Sequence, residues 1–114
     1  MGFFMRIIVT SIVAFGLSYV LDGISIDTFW TAIVVALVLA VLNAFVKPIL
    51  ILLTLPITLI TLGLFLFVIN ALIILFAEKI VSGFRVDGFW WALLFSLLLS
   101  LVTSLMYREE KNKD

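Results

Sequence analysis

Residues 23–32 read GISIDTFWTA, and sixty positions later residues 83–92 read GFRVDGFWWA. Each stretch opens on a glycine that permits a turn out of a preceding helix. Three residues of alternating character follow, Ile24-Ser25-Ile26 and Phe84-Arg85-Val86, in the period-two pattern of an extended segment. Asp27 and Asp87 then stand just ahead of a long apolar run, where a carboxylate can cap the free N–H groups of a helix. Trp30, Trp90 and Trp91 lie where those runs begin. A tryptophan ring is favoured at a membrane–water boundary because it is apolar and carries one polar N–H. Each stretch therefore reads as a turn between two helices with interfacial anchors. The two extended pieces are expected to lie side by side and pair, with Ile26 close to Val86.

Outward from these turns the chain is almost continuously apolar. Of 114 residues, 66% are hydrophobic and 12% charged, against roughly 45–50% and 25% in ordinary soluble domains. So small a chain cannot hide that much apolar surface in one soluble core. About 20 apolar residues carry a helix across the hydrocarbon core, and four such runs occur, at about 3–21, 28–46, 57–80 and 89–107. The fold class that follows is an all-α integral membrane protein with four transmembrane helices. The first run has its counterpart in the third, so it reads as a span and not as a cleaved leader.

The likeness between the turns continues along the helices behind them. Ala36, Ala40, Asn43 and Ala44 correspond to Ser96, Ser100, Thr103 and Ser104. The chain thus reads as two tandem helical hairpins, a parallel internal repeat, within a single membrane domain covering residues 1–114. The first repeat takes about 1–47, a connecting segment 48–56, the second repeat about 57–107 and a polar, frayed tail 108–114. Two hairpins entering the membrane in the same direction have a symmetry axis along the membrane normal.

Small residues three and four apart share a helix face, and small faces let helices approach closely in lipid. The second and fourth runs are expected to turn these faces inward and toward each other. A hydrated path along Ser96, Ser100, Thr103 and Ser104 is the alternative to close packing. Asn43 and Asn70 are the two amides within the apolar runs. Each is expected to find a partner on another helix, as interhelical hydrogen bonding or as a solute contact. The connecting segment contains Pro48 and Pro56, so a short interfacial helix or kink is expected there, with the third span starting near Pro56. A re-entrant segment is the alternative.

The composition also excludes. The chain has no cysteine and no histidine, which removes thiol chemistry, the usual metal sites and the commonest general base. No cofactor or metal site is expected, and the chain does not read as an enzyme. Formal net charge is zero, which argues against nucleic acid as a partner. No charged residue sits deep in a span, unlike the buried acid or base of most ion-coupled transporters. Arg6, Lys47, Arg108, Lys111 and Lys113 share one side and Lys79 and Arg85 the other. The positive-inside rule then places both termini in the cytoplasm.

Five phrases in order, NAFVKP (43–48), LTLP (53–56), TLGLF (61–65), INA (69–71) and GFRVDGF (83–89), resemble the small bacterial membrane proteins grouped as phage holin family 4, superfamily IV. The resemblance implies a bacterial cytoplasmic-membrane protein that forms homo-oligomers and, in the holin role, opens the membrane. It equally implies a structural or envelope-stress protein that binds other membrane proteins without lysis, since members outside phages lack lytic partners. It carries over no catalytic residues. A small-solute channel or transporter built on the repeat is the third reading.

Overall fold

A computed structural model of the chain describes residues 2–112, with side chains through residue 106. Its elements in order are α1 (Phe3–Val20), β1 (Ile24–Ile26), α2 (Phe29–Val41), a π-helical turn (Leu42–Val46), α3 (Lys47–Leu53), α4 (Leu55–Ile60), α5 (Phe65–Ile80), β2 (Phe84–Val86) and α6 (Phe89–Asn112). Three helical runs are long and apolar enough to cross a membrane: Phe3–Val20, Phe29–Leu53 and Phe89–Met106. Helix α6 continues to Asn112, through most of the stretch expected to be a frayed tail.

The turns that open the sequence form one two-stranded antiparallel ribbon. Ile24 lies opposite Val86, Ser25 opposite Arg85 and Ile26 opposite Phe84. The expected pairing of the extended pieces is thus present, but the antiparallel register sets Ile26 against Phe84 and not against Val86. Two further hydrogen bonds flank it: the Asp27 N–H donates to the Gly83 carbonyl at 3.0 Å, and the Asp87 N–H to the Gly23 carbonyl at 2.8 Å. The alternating pattern buries Ile24, Ile26, Phe84 and Val86 and turns Ser25 and Arg85 outward. The helices entering the ribbon end alike. Leu21 closes α1 at φ −97°, ψ 116°, and Val81 closes α5 at φ −100°, ψ 117°.

The helices form a four-sided bundle. Helix α1 packs on α2 and α6, and α5 packs on α6 and on the α2–α3 run. The backbones of α2 and α6 do not approach within 8 Å of each other; the two helices stand diagonally across the bundle. Their small faces, expected inward and toward each other, therefore do not pack closely. At the ribbon end the bundle is tight. Ala14, Ala32, Ala77 and Ala92 are wholly buried, and small side chains of this kind are what permit close backbone approach in lipid. Val35 and Phe95 fill the space beneath the ribbon, with the Phe84 ring centred 5.9 Å from that of Phe95 and tilted by 50°.

The connecting segment departs most from expectation. Pro48 does not end the second helix, because the preceding turn widens. The Lys47 N–H donates to the Leu42 carbonyl, a five-residue step, which leaves room for a proline ring that would otherwise clash with the carbonyl four residues back. The helical run therefore continues to Leu53, 25 residues in all and roughly 37 Å long. Pro56 lies in the first turn of the six-residue α4, not of the third long helix. Helix α4 stops at a Schellman motif, with the Gly63 N–H on the Thr58 carbonyl and the Leu62 N–H on the Leu59 carbonyl. Leu62 takes the left-handed position at φ 56°. Helix α5 starts only at Phe65, so it has 16 residues and spans about 24 Å.

Candidate functional site

The small and polar faces that stand apart leave a cavity of about 530 Å³ in the half of the bundle away from the ribbon. Helix α1 contributes Arg6, Ile7 and Thr10, and the α2–α3 run contributes Ala36, Ala40, Asn43, Ala44 and Lys47. Helix α5 contributes Asn70, Ile73 and Ile74, and α6 contributes Ser96, Leu99, Ser100 and Thr103. The lining descends from Arg6, Lys47 and Thr103 at the open end to Ala36 and Ser96 near mid-bundle. Beyond those residues the packed layer of Val35 and Phe95 and the ribbon close the bundle.

The sequence places the lining in a simple way. On α2 and α6 the small positions fall three and four apart, so they make one face on each helix. Because α2 and α6 are diagonal, those faces look at each other across a gap. Asn43 and Ala44 sit within the π turn that accommodates Pro48, and π turns are frequent at functional sites. The wide turn sets Asn43 and Lys47 on the same side of the helix, facing the open end.

Several hydroxyls are already engaged. Thr103 Oγ1 donates to the Leu99 carbonyl at 2.7 Å, and Ser96 Oγ to the Leu93 carbonyl at 2.9 Å. These are local bonds back to the helix backbone, and they leave each oxygen able to accept. Asn43 and Asn70 both line the cavity, and neither amide hydrogen-bonds to another of the described residues. The expected interhelical amide partners are therefore not formed. Ser104 stands on the exposed side of α6, away from the cavity. Thr10, which the sequence offered with Thr103 as a partner for the amides, belongs to the lining, as do the cations Arg6 and Lys47, which it placed at the inner interface and not in a site.

The ribbon end holds the remaining singled-out residues. Trp30 and Trp90 are each 76% exposed at the starts of α2 and α6. Trp91 is half-buried and lies flat against Gly23. A Cβ on Gly23 would come within 2.2 Å of the indole ring, so this glycine serves close packing and not an unusual φ. Gly83 does need its conformational freedom, with φ at +90°. Asp27 does not cap α2: the cap is Thr28, whose Oγ1 accepts from the Thr31 N–H at 3.2 Å. The position before α6 is Gly88, whose carbonyl accepts from the Ala92 N–H, so Asp87 lies one residue too early to be the cap. Among the described acids, Glu78 makes a structural bond: its Oε2 accepts the Val86 N–H at 2.7 Å.

An apolar helical bundle with membrane-length helices and a one-ended polar cavity defines a multi-pass membrane protein. The chain belongs to the family described as mycobacterial 4 TMS phage holin, superfamily IV, which it matches over residues 1–105. It is 39% identical over 105 residues to the uncharacterized membrane protein YvlD of Bacillus subtilis (strain 168), covering 91% of this chain and 88% of that one. It is 49% identical over 77 residues to the uncharacterized protein SCO3922 of Streptomyces coelicolor, covering 64% of this chain and 62% of the other. No solved structure matches it.

Proposed function

We propose that this chain is a holin-like protein of the bacterial cytoplasmic membrane that crosses the bilayer four times, self-associates there and lends its cavity to a permeation path. The observation that carries this reading is the cavity itself: a 530 Å³ space in which the amides, hydroxyls and two cations stand among apolar side chains such as Leu39, Ile73 and Leu99, inside a bundle whose outer surface is apolar. Hydrocarbon cannot satisfy such groups, so the cavity is a water-accessible half-channel.

The four crossings are two copies of one hairpin. The paired bonds Asp27 to Gly83 and Asp87 to Gly23 are mates under a sixty-residue shift. So are the matching ends of α1 and α5 and the buried pairs Ala32 with Ala92 and Val35 with Phe95. Helix α5 supplies the fourth crossing although it is short against a ~30 Å core, with the α4 turn completing its depth. The open end faces the cytoplasm, because the cations Arg6 and Lys47 lie there.

Controlled expression in a bacterium, following membrane potential and release of a cytosolic marker, tests the reading. Depolarisation is expected once protomers assemble, and crosslinking in the membrane should trap species larger than a monomer. Cells that hold their potential at high expression, with only monomer recovered, would overturn it. The ribbon and Phe84–Phe95 seal on the far side favours a second reading, a closed structural or envelope-stress protein. That reading expects oligomers with no depolarisation.

A further inference from the structure

We infer that α3, α4 and the turn leading into α5 form a re-entrant anchor seated among the acyl chains of the leaflet at the open end, with Leu62 at its tip. This goes beyond the permeation reading. It requires a membrane protein, which the family match gives, and it holds whether or not the cavity conducts.

Three observations converge on acyl chains as what covers this surface. The first is an inverted polarity. Helix α4 packs on α3 and α5. Its one polar residue, Thr58, is buried there, while Leu55, Pro56, Ile57, Leu59 and Ile60 are all exposed. A helix lying on a membrane surface shows water a polar, charged face, and α4 shows none. Nor does any charged residue occur between Lys47 and Glu78 to hold the segment at the water boundary.

The second is the backbone. A turn at a wet surface can leave its N–H groups to water. Between α4 and α5 every N–H from Thr61 to Phe67 is bonded within the segment. Thr61, Leu62 and Gly63 donate to the carbonyls of Ile57, Leu59 and Thr58, Leu64 to that of Thr61, and Leu66 and Phe67 to those of Gly63 and Leu64. The Phe65 N–H donates to Thr61 Oγ1 at 3.2 Å, and that hydroxyl donates to the Ile57 carbonyl at 2.9 Å. Hydrocarbon makes this demand of a backbone, because it offers no partner of its own.

The third is depth. Helix α5 ends at the ribbon-side boundary, where Glu78 and Lys79 lie. Its length of about 24 Å leaves its start roughly 6 Å inside a ~30 Å core. The turn therefore falls within the acyl chains. Leu62 at its tip is 92% exposed and yet held at φ 56°, a conformation that glycine takes without strain. Acyl chains around the leucine offset that strain; water would add a second cost to it. A second copy of the chain fits this surface less well. Helices meet in lipid at small residues, whereas the exposed residues of α3 and α4 are leucine, isoleucine and proline.

The chain has no cysteine, so single spin labels test the anchor directly. Leu62→Cys, Ile60→Cys and, at the outward face of the ribbon, Ser25→Cys are each labelled in the full chain and reconstituted in phosphatidylglycerol–phosphatidylethanolamine vesicles. Relaxation is read against oxygen, which partitions into hydrocarbon, and against a water-soluble nickel chelate. Labels at 62 and 60 are expected to respond several-fold more strongly to oxygen than to nickel, and the label at 25 the reverse. Nickel relaxing position 62 as strongly as position 25 would overturn the anchor and place the turn in water. Neither reagent relaxing positions 60 and 62 would overturn the lipid as occupant in favour of a second copy. Position 60 keeps the test decisive should the turn itself not tolerate a label at 62.

Discussion

Single atoms decide the ribbon end. Gly23 is small because the Trp91 indole occupies the space a Cβ would need, and Gly83 is glycine because of its φ of +90°. Gly23→Ala is therefore expected to lower thermal stability in detergent by about 1–3 kcal/mol, the range for overpacking. Gly16 lies within α1 with nothing within 4 Å of an added Cβ. Gly16→Ala should raise stability by about 0.5–1 kcal/mol through helix propensity. Opposite signs in one thermal-shift series would establish that the demand for glycine is local packing; a loss at both positions would refute it. Glu78 gives a second residue-scale test. Glu78→Ala strips the Val86 N–H of its acceptor. It should speed exchange of that amide and cost about 1–3 kcal/mol, while Glu78→Gln, which keeps an acceptor, should restore most of the protection.

At the scale of elements, some features were legible in the sequence and others were not, for physical reasons. The ribbon was legible because alternation, glycine and the sixty-residue echo all pointed to the same turn. The cap was missed by one residue: Asp27 and Thr28 are both capping residues side by side, and only backbone geometry selects Thr28. The start of α5 was misplaced because Leu62, a residue that disfavours left-handed backbone, takes the C′ position normally held by glycine. The small residues of α2 and α6 line the cavity, except Ser104, which is exposed, and the two faces stand apart. Small residues line a cavity as readily as they close one, and the diagonal placement is set by the whole bundle. The π turn was hidden because Pro48 reads as a helix end in sequence. Its role is testable, since the chain has no cysteine of its own. Asn43→Cys should react with a charged, membrane-impermeant thiol reagent applied at the open end. Pro48→Ala restores an N–H to the backbone and removes the ring clash, so the wide turn is expected to tighten to α. In the double variant Asn43→Cys, Pro48→Ala, labelling should fall several-fold as position 43 rotates by part of a turn. Unchanged labelling would mean that the π turn does not depend on Pro48.

At the scale of the whole molecule, the question is how a bundle sealed at one end would serve the membrane-opening role proposed above. Either the ribbon separates and the cavity runs through each protomer, or the path forms between protomers while each stays sealed. Ser25 and Arg85 face each other across the ribbon, in a register whose Cα separation, about 5.5 Å in a hydrogen-bonded antiparallel pair, suits a disulfide. Both side chains point outward, so replacing them leaves the buried face of the ribbon untouched. In a chain with no other cysteine, Ser25→Cys with Arg85→Cys should crosslink under mild oxidation and lock the ribbon shut. If the path runs through the protomer, depolarisation in expressing cells should be lost on oxidation and recovered on reduction, and each single variant should be insensitive. If the path lies between protomers, the locked form should depolarise as well as the reduced one. The wholly buried Ala14, Ala32, Ala77 and Ala92 within the core favour the second outcome. Opening a protomer would have to disrupt that core as well as the strand pair, whereas assembly around sealed protomers leaves both intact.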